Sequence, residues 1–540
     1  MSRNASFSKK WITVLAVISL LAAAILAGCS KDNGEKTPAA SSGASQPADS
    51  GKDASPGSPK TGGVLKIAMT GAPVNLGLVP KSRTVQEVLM AVPALETLGR
   101  YDEKGNIVPW LAESWETDPD AKTITYKLKQ GVKFHDGTDF NAEAVKFNLD
   151  LMIEAKRQEF KDLASVDVVD ASTVKLNLSQ WNSSMVESVA NFLWIMSPTA
   201  YQQMGQDGIS KHPVGTGPFE FVSFQQDVSV KYKKFAGYWQ QGKPYLDGIE
   251  WSVIADPLTA SATFQNKDVD AFLNVPADIA KQLTGSGNVI KLQSGLGARA
   301  GGLITDSANP NSPFADVRVR QALGYAIDRQ ELVTSILGGF ALVTNQWGTQ
   351  TSWSYNPDVE GLKYDPEKAK QLLKDAGYPN GFKTTIYSIG QDQMVTAMQG
   401  YLARVGIDAK IEVLDTAKFQ EMTGAKGKWD GIMPYNFRGD ADLALYMPRN
   451  FGVGGPLYAN NILHPDDVTQ LLEQAKTAKD QETKKQISLE LQKKVFDEYA
   501  LAYAMYVDTA PAALQSYVKD SGINQTYMTV FTPENAWLDK

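Results

Sequence analysis

The sequence predicts an α/β fold with mixed sheets, divided into two or three lobes. The first observation is an alternation of patterns: residues 383–389 and 409–414 have strand character, and residues 393–405 between them have helical periodicity. Such alternation is typical of an α/β lobe. The second observation is length, because about 480 residues follow a polar segment that ends near residue 60. One hydrophobic core does not grow to that size, so several lobes are expected.

The first 28 residues have the composition of a signal peptide, with three basic residues before an almost wholly apolar stretch at 11–27. A retained membrane anchor is the alternative, which the length of 17 residues opposes only weakly, since a span needs ~20. The string Leu26-Ala27-Gly28-Cys29 looks like the lipobox of bacterial lipoproteins. That resemblance implies cleavage before Cys29 and a diacylglyceryl group on its thiol, and two acyl chains suffice for stable anchoring.

Residues 30–60 are rich in Ser, Gly, Pro, Ala, Lys and Asp and contain no aliphatic side chain larger than alanine. Such a segment cannot bury enough apolar surface to offset its ordering entropy. Together with Cys29 it is predicted to be a flexible tether spanning ~30 Å r.m.s..

Cys29 is the one cysteine of the chain, so a lipidated mature chain has no thiol for a disulfide or for nucleophilic chemistry. Loss of residues 1–28 removes three basic and no acidic residues, which changes the formal charge from −7 to −10. An acidic chain without basic clusters does not favour nucleic-acid binding.

Capping signals place further elements along the mature chain. Residues 63–69 predict an opening strand, and the alternation of Thr123–Leu128 predicts a half-buried strand. Asn141 is a candidate N-cap for a helix with an apolar face. Asp365-Pro366 is a clear helix start, and Gly377 is the expected end of that helix.

No catalytic set is evident, so the chain is predicted not to be an enzyme and to need no metal or cofactor. Its three histidines, His135, His212 and His464, lack metal-ligand spacing, and no Gly-x-Ser-x-Gly or Walker motif occurs. A Ser-His-Asp triad stays open, because its members need to be close only in space. His135 follows a strand in a turn signal, where a structural hydrogen bond is the favoured role.

Residues 429–455 form a loop-like stretch, punctuated by Gly and Pro, that mixes aromatic and charged side chains. Aromatic walls with a few placed charges are how small-ligand sites are built. A solvated loop is the alternative, and composition alone does not separate the two. The candidate ligand-binding residues are Trp429, Tyr435, Arg438, Asp440, Asp442 and Arg449.

Five strings spread over the mature chain resemble segments of the bacterial extracellular solute-binding proteins, family 5, which serve ABC importers of oligopeptides, dipeptides, nickel complexes and opines. They are residues 108–116 (VPWLAESWE), 131–137 (GVKFHDG), 213–219 (PVGTGPF), 238–247 (YWQQGKPYLD) and 317–329 (VRVRQALGYAIDR). All occur in family order after the lipobox.

The resemblance implies a two-lobed periplasmic-binding-protein fold of type II, with an extra subdomain and a hinge that closes over ligand. The implied division is a signal peptide at 1–28, a lipidated tether at 29–60, lobe I at 61–100, 213–300 and 505–540, its extra subdomain at 101–212, and lobe II at 301–504.

In peptide-binding members, the aspartate of an ADY-x-x-P loop meets the α-ammonium group of the ligand. Asp440 is the first candidate for that role and Asp442 the second, although no proline follows in the expected place. Arg438 and Arg449 flank the loop, and a guanidinium matches the geometry of a ligand carboxylate. The implied ligand is an oligopeptide or a related amino-acid-derived compound.

The resemblance therefore implies a monomeric receptor, lipid-anchored on the extracytoplasmic face of the cell membrane, that hands its ligand to an ABC permease and ATPase. Binding of a nickel–metallophore complex or an opine is an alternative within the family. A secreted hydrolase and a signalling receptor are alternatives from other classes.

Overall fold

The computed structural model describes residues 58–540 apart from 82–83, 285, 287, 293–297, 348, 440 and 525–530. The predicted signal peptide, Cys29 and nearly all of the tether lie outside these residues, as does Asp440. Within the described part of the chain, no helix is long and apolar enough to cross a membrane.

The strands of the described chain form sheets of seven, six, four, two and two strands. In chain order they are β1 (Val64–Met69), β2 (Gly99–Tyr101), β3 (Ile107–Pro109), β4 (Ala112–Asp118), β5 (Thr123–Leu128), β6 (Leu163–Asp170), β7 (Thr173–Leu178), β8 (Phe219–Gln225), β9 (Ser229–Lys234), β10 (Gly248–Val253), β11 (Ala271–Phe272), β12 (Val289–Lys291), β13 (Arg299–Thr305), β14 (Ala341–Val343), β15 (Phe382–Ile389), β16 (Ile407–Leu414), β17 (Ile432–Arg438), β18 (Ala502–Asp508), β19 (Ala512–Leu514), β20 (Val518–Lys519) and β21 (Trp537–Leu538).

Helices cover or connect these sheets, and α4 contains a kink at Gly205. They are α1 (Val85–Ala91), α2 (Ala142–Glu154), α3 (Met185–Phe192), α4 (Pro198–Lys211), α5 (Pro257–Gln265), α6 (Ala277–Thr284), α7 (Val317–Ala326), α8 (Arg329–Ile336), α9 (Pro366–Asp375), α10 (Gln393–Arg404), α11 (Thr416–Thr423), α12 (Leu443–Phe451), α13 (Asp466–Thr477) and α14 (Gln481–Lys493). Short 3₁₀ turns occur at Val79–Lys81, Gln158–Phe160, Pro313–Ala315 and Ala459–Asn461, and a π turn at Lys494–Glu498.

The predicted helix caps are confirmed. The Asn141 side chain accepts a hydrogen bond from Ala144 N at the start of α2, at 3.0 Å. The Asp365 carboxylate accepts one from Lys368 N at 2.9 Å, and Pro366 opens α9. Gly377 follows the end of α9 with φ of +94°, a conformation that glycine adopts without steric cost.

The predicted strand–helix–strand unit is also confirmed, as β15, α10 and β16. The two strands pair in parallel from Phe382↔Ile407 to Ile389↔Leu414, so the chain must cross the sheet between them, and α10 makes that connection. Met398 and Leu402 of α10 are buried against the sheet. Each such side chain contributes ~1.5–3 kcal/mol through burial.

The seven-stranded sheet has the order β12-β19-β11-β1-β10-β9-β8. It is mixed, because β1 pairs in parallel with β10 and β11 while the other pairs are antiparallel. The six-stranded sheet has the order β14-β18-β13-β17-β15-β16 and is also mixed. We call the elements around the seven-stranded sheet the first lobe and those around the six-stranded sheet the second lobe. The chain passes from one sheet to the other between β12 and β13 and returns between β18 and β19.

The four-stranded sheet, β4-β5-β7-β6, is antiparallel and belongs to an inserted segment of the first lobe that we call the subdomain. Its core joins the buried faces of the sheet and of α2, including Tyr126, Leu149 and Leu176. The turn at Phe134–Gly137 docks on the first lobe, since His135 Nε2 is 2.9 Å from Gly217 O and Gly215 N donates to His135 Nδ1 at 3.4 Å.

The stretch 429–455, which its glycines and prolines predict to be a loop, is instead largely β17 and α12. Residues of β17 alternate between buried and half-buried positions, which is the burial of a strand in a sheet. Pro434 lies beyond Ile432, where the described register between β17 and β15 ends, so that flank needs no amide donor. Burial of the apolar residues therefore outweighs the local turn signals.

Candidate functional site

Strand β17 and helix α12 are joined by residues 439–442, which we call the β17–α12 loop. Of the predicted ligand residues that the structure describes, Arg438 ends β17 and Asp442 caps α12, while Arg449 lies in the last turn of α12. Gly439 N donates to Ala298 O at 2.8 Å, which fixes the loop to the chain segment that enters the second lobe. Ala441 is buried against Tyr101, from the end of β2, and Trp353 of the second lobe. The loop therefore lies where the two lobes meet.

Two arginines approach one aromatic ring beside this loop. Arg438 Nη1 donates to the Tyr446 hydroxyl at 3.3 Å, and its guanidinium carbon lies 5.7 Å from the ring centroid. The guanidinium carbon of Arg449 lies 6.0 Å from the same centroid. The structure thus brings Arg438 and Arg449 to one place, where forked donors suit a carboxylate.

Asp442 is held inside the protein. Its Oδ1 accepts a hydrogen bond from Ala444 N at 2.9 Å as the N-cap of α12, and its Oδ2 lies 2.6 Å from Lys484 Nζ. Burial disfavours the charge of Lys484, but the carboxylates of Asp442 and Glu187 outweigh burial and hold the lysine pKa above its usual value. The Asp442 charge is therefore already neutralised from within the chain.

Trp429 and Tyr435 lie in the hydrophobic core of the second lobe. Trp429 is 4% exposed and meets Tyr458 edge to face, at 6.1 Å between ring centroids. Tyr435 is 1% exposed and stacks on Phe437, and its hydroxyl accepts from Asn450 Nδ2 at 3.4 Å. Both rings contribute to this core, Tyr435 from β17 itself and Trp429 from just before that strand. A role as walls of a ligand site stays a prediction for these two residues.

Opposite the β17–α12 loop, the first lobe contributes residues that the sequence did not indicate. The Arg100 guanidinium lies 3.5 Å from the Trp110 ring centroid and 3.0 Å from the Glu534 carboxylate. Arg100 and Tyr101 line a cavity of about 20 Å³ together with Phe531. Neither residue lies in a turn motif or in a stretch that mixes rings and charges, so no local signal could have found them.

Glu96 supports this side from within the core. It is wholly buried, and its carboxylate accepts hydrogen bonds from Trp110, Trp239, Tyr238 and Thr216 at 2.8–3.0 Å. Burial raises the pKa of Glu96, although Arg100 and the donors act in the other direction. The Trp110 indole is thereby fixed beneath Arg100, and Trp239 packs against Trp110 edge to face.

A cavity of about 250 Å³ lies between the subdomain and the second lobe, next to Tyr446 and Arg449. Lys161 and Lys476 contribute further positive charges, and residues 452–456, the glycine-rich turn, form one side. Glu159 and Glu473 also line this cavity, so its charged side chains leave one net positive charge. Arg449 thus lies both near the β17–α12 loop and in the wall of this cavity.

The described histidines make structural contacts. His464 places its ring nitrogens 2.9 Å from the carbonyl oxygens of Phe451 and Ala459, and His135 binds the 215–217 turn. Among the described residues, no group of three or more His, Cys, Asp or Glu side chains could hold a metal ion. The two guanidinium groups beside Tyr446 suit a solute that carries a carboxylate.

Comparisons with known proteins identify relatives of this chain. The family model described as "Bacterial extracellular solute-binding proteins, family 5 Middle" matches residues 106–458. The glutathione-binding protein GsiB of Shigella flexneri is 38% identical over 355 residues, which cover 62% of this chain and 68% of that protein. GsiB of Salmonella typhi has the same identity and coverage.

Solved structures share the whole architecture. The periplasmic binding protein DppA from Helicobacter pylori, in complex with peptide STSA, superposes with a TM-score of 0.71 at 25% identity, over 89% of this chain and 99% of that one. HbpA2 from Haemophilus parasuis gives 0.77 at 22% identity, over 88% and 100% of the two chains. The likeness therefore extends over both lobes and the subdomain.

Proposed function

The chain belongs to the bacterial extracellular solute-binding proteins of family 5, and from this membership we propose that it captures a short peptide-like solute outside the cell for an ABC importer. The proposal includes a lipid anchor at Cys29 and delivery of the solute to the permease. A tether of ~30 Å r.m.s. would keep the receptor beside the membrane and still let it reorient.

Glutathione is the first candidate for the solute. The curated relatives reported above are glutathione-binding proteins. Glutathione carries two carboxylates and one ammonium group, so its recognition needs paired cations and one unpaired anion. Arg438 and Arg449, both beside Tyr446, are the proposed carboxylate partners. Asp440 is the proposed ammonium partner, because Asp442 is already paired with Lys484.

The observation that carries the proposal is the position of the β17–α12 loop. Ala441 in this loop packs against Tyr101 on the first-lobe side and Trp353 on the other. A solute bound here would contact both lobes and would therefore favour the closed arrangement over the open one. We propose that this difference in affinity drives hinge closure.

Native mass spectrometry of protein purified without added ligand tests the solute class. We expect a bound mass equal to that of glutathione or a short peptide, released on denaturation. A nickel complex or an opine would move the protein to another branch of the family, and turnover of the bound molecule would indicate a hydrolase instead.

Metabolic labelling with an alkyne fatty acid tests the anchor. We expect the wild-type chain to incorporate the label and to sediment with membranes, and Cys29→Ala to do neither. Labelling of Cys29→Ala at the wild-type level would contradict lipidation at this residue.

A further inference from the structure

A second cavity, of about 290 Å³, lies between the subdomain and the loop that joins α13 to α14. Trp115, Trp181 and Val186 supply apolar walls, and Glu187, Lys479 and Asp480 supply charged groups. We call it the junction cavity. It is lined by none of the residues assigned above to glutathione.

Glu187 is the one carboxylate of this cavity whose buried oxygen lacks a partner in the described chain. The residue is 8% exposed, and its Oε1 lies 3.6 Å from Lys484 Nζ. Its Oε2 is buried and accepts no hydrogen bond from any described residue. An unsatisfied buried carboxylate oxygen costs ~1–3 kcal/mol or more, so such a position calls for a donor that binds there.

Lys484 does not supply that donor, because its ammonium faces Asp442, Ser183 and the other oxygen of Glu187, Oε1. Lys484 Nζ lies 2.6 Å from Asp442 Oδ2 and donates to Ser183 O at 3.0 Å. The side chain is 2% exposed, which leaves little freedom for a further contact. The second oxygen of Glu187 is therefore left to a molecule from outside.

The charges around the junction cavity do not balance. Lys479 pairs with Asp120 at 2.5 Å and Lys484 pairs with Asp442, so both lysines are neutralised. Glu187 and Asp480 remain as additional carboxylates. Asp480 lies at the surface as the N-cap of α14, where Thr483 N donates to it at 2.7 Å. A ligand that enters this cavity therefore meets an excess of negative charge.

Two tryptophans beside an unsatisfied carboxylate form the combination that recognises organic cations. An ammonium group is attracted to the face of an indole ring by ~0.5–2 kcal/mol, more when water is excluded. We infer that the junction cavity is a binding site for a small organic ammonium ion, with Glu187 as its counter-ion and Trp115 and Trp181 as its walls. It is a second site, additional to the proposed peptide site.

Protons compete with such a cation. Burial, above all, raises the pKa of Glu187 to about 7; Lys484 lowers it and Asp442 raises it. Tyr126 on β5 also faces Glu187. A bound cation favours the ionised carboxylate, so below pH 7 binding must release a proton. The apparent affinity should therefore be about tenfold weaker at pH 6 than at pH 8.

Titration of the purified chain with tert-butylammonium chloride, whose ammonium group can donate to Glu187 Oε2, tests the site by calorimetry and tryptophan fluorescence. We expect saturable binding that sodium chloride and the neutral tert-butanol do not reproduce. Glu187→Gln should weaken it at least tenfold and remove its pH dependence. Glu154→Gln, an exposed carboxylate of the same subdomain, should have no effect.

Trp115→Leu provides a second variant that keeps every charge, and should weaken binding about threefold or more. Equal affinity for tert-butylammonium in the wild type and both variants, or no saturation by about 50 mM in the wild type, would overturn the inference. Glutathione affinity should not change in Trp115→Leu, which leaves the ion pair of Lys484 intact, so failure of this site and failure of the proposed function remain distinguishable.

Discussion

Lys484 is the residue that decides which aspartate of the β17–α12 loop is available to a ligand. Its ammonium is buried between Asp442 and Glu187 and joins the loop to the subdomain. An ion pair of this kind adds little net stability over apolar residues of the same shape, but it makes each partner indispensable to the others. The carboxylate of Asp442 therefore stabilises the fold and is not available to a ligand.

Replacing Lys484 by methionine keeps most of the packing and leaves two carboxylates buried without their cation. We expect the free energy of unfolding to fall by ~3–5 kcal/mol. Urea unfolding measures this loss. Lys493→Met, at the exposed end of the same helix, is the matched control and should change stability by less than ~0.5 kcal/mol. Equal stability of the two variants would show that the buried pair is unimportant.

Substitutions of the two aspartates of the loop should differ in their effect on protein stability. Asp442→Ala removes the N-cap of α12 and the partner of Lys484, so it should cost ~3 kcal/mol or more. Asp440→Asn should leave the melting temperature within about 2 °C of the wild type. Differential scanning fluorimetry of both variants checks this pair. A large loss in Asp440→Asn would assign that side chain to the fold.

Local composition could predict part of this site. Arg438, Asp442 and Arg449 are indicated because they lie in one stretch with aromatic residues, and their contact with a ligand stays a prediction. Lys484 has the appearance of any lysine on an amphipathic helix, and its partner Glu187 is about 300 residues away in sequence. Tyr101 and Trp353 likewise reach the loop only through tertiary packing. Such pairings depend on the three-dimensional path of the chain, which no local pattern encodes.

At the scale of elements, the turn 213–219 fixes the subdomain to the first lobe. A Cβ on Gly217 would lie 2.5 Å from Pro93 O, and one on Gly215 would lie 2.2 Å from Ala94 O. Gly217 N also donates to Ala94 O at 3.0 Å. The glycines are therefore needed for close approach of two backbones.

Gly217→Ala should lower the free energy of unfolding by ~1–3 kcal/mol, because the backbones must move apart. Gly400→Ala on α10 is the control, since its Cβ would meet no atom within 4 Å. That variant should gain ~0.5–1 kcal/mol from helix propensity. Chemical denaturation compares the two, and a neutral or stabilising Gly217→Ala would contradict the close contact.

His135 should make the docking of this turn sensitive to acid. Burial lowers the pKa of His135 to about 4, so the unfolded chain binds a proton that the folded chain does not as pH falls from about 6.5 to about 4. Stability is lost over that range and no further below it. The loss should reach ~2.5 kcal/mol at pH 4.5 relative to pH 7.

His135→Gln keeps a donor for Gly217 O and removes the titration. Urea unfolding at pH 7 and pH 4.5 should show a smaller loss in this variant than in the wild type, whereas His212→Gln should retain most of the loss. Identical pH dependence of the wild type and His135→Gln would contradict the role given to burial.

Elements with strong local signals were predictable, and those that rely on burial were not. The side chains of Asn141 and Asp365 cap their helices through contacts within four residues, so sequence alone places them. By contrast, β17 and α12 each contain a proline, and the local sequence around it predicts a loop. Burial of Met433 and Met447 in the core of the second lobe overrides those signals.

At the scale of the whole molecule, the chain crosses between its two large sheets twice, and the subdomain makes a third connection. Trp181 Nε1 donates to Ala478 O, and Ser183 Oγ donates to Ala475 O, both at 2.8 Å. These contacts tie the subdomain to the ends of α13 and α14. A ligand at the β17–α12 loop and a cation in the junction cavity would therefore both act on the interface between the subdomain and the second lobe.

Isothermal titration calorimetry with reduced glutathione is the most direct test of the proposed function. The wild-type chain should bind with a Kd of about 10 µM or tighter, and Asp440→Asn should bind at least about tenfold more weakly because an ammonium–carboxylate contact is lost. Absence of heat with both glutathione and short peptides, or equal affinity in the two proteins, would contradict the account.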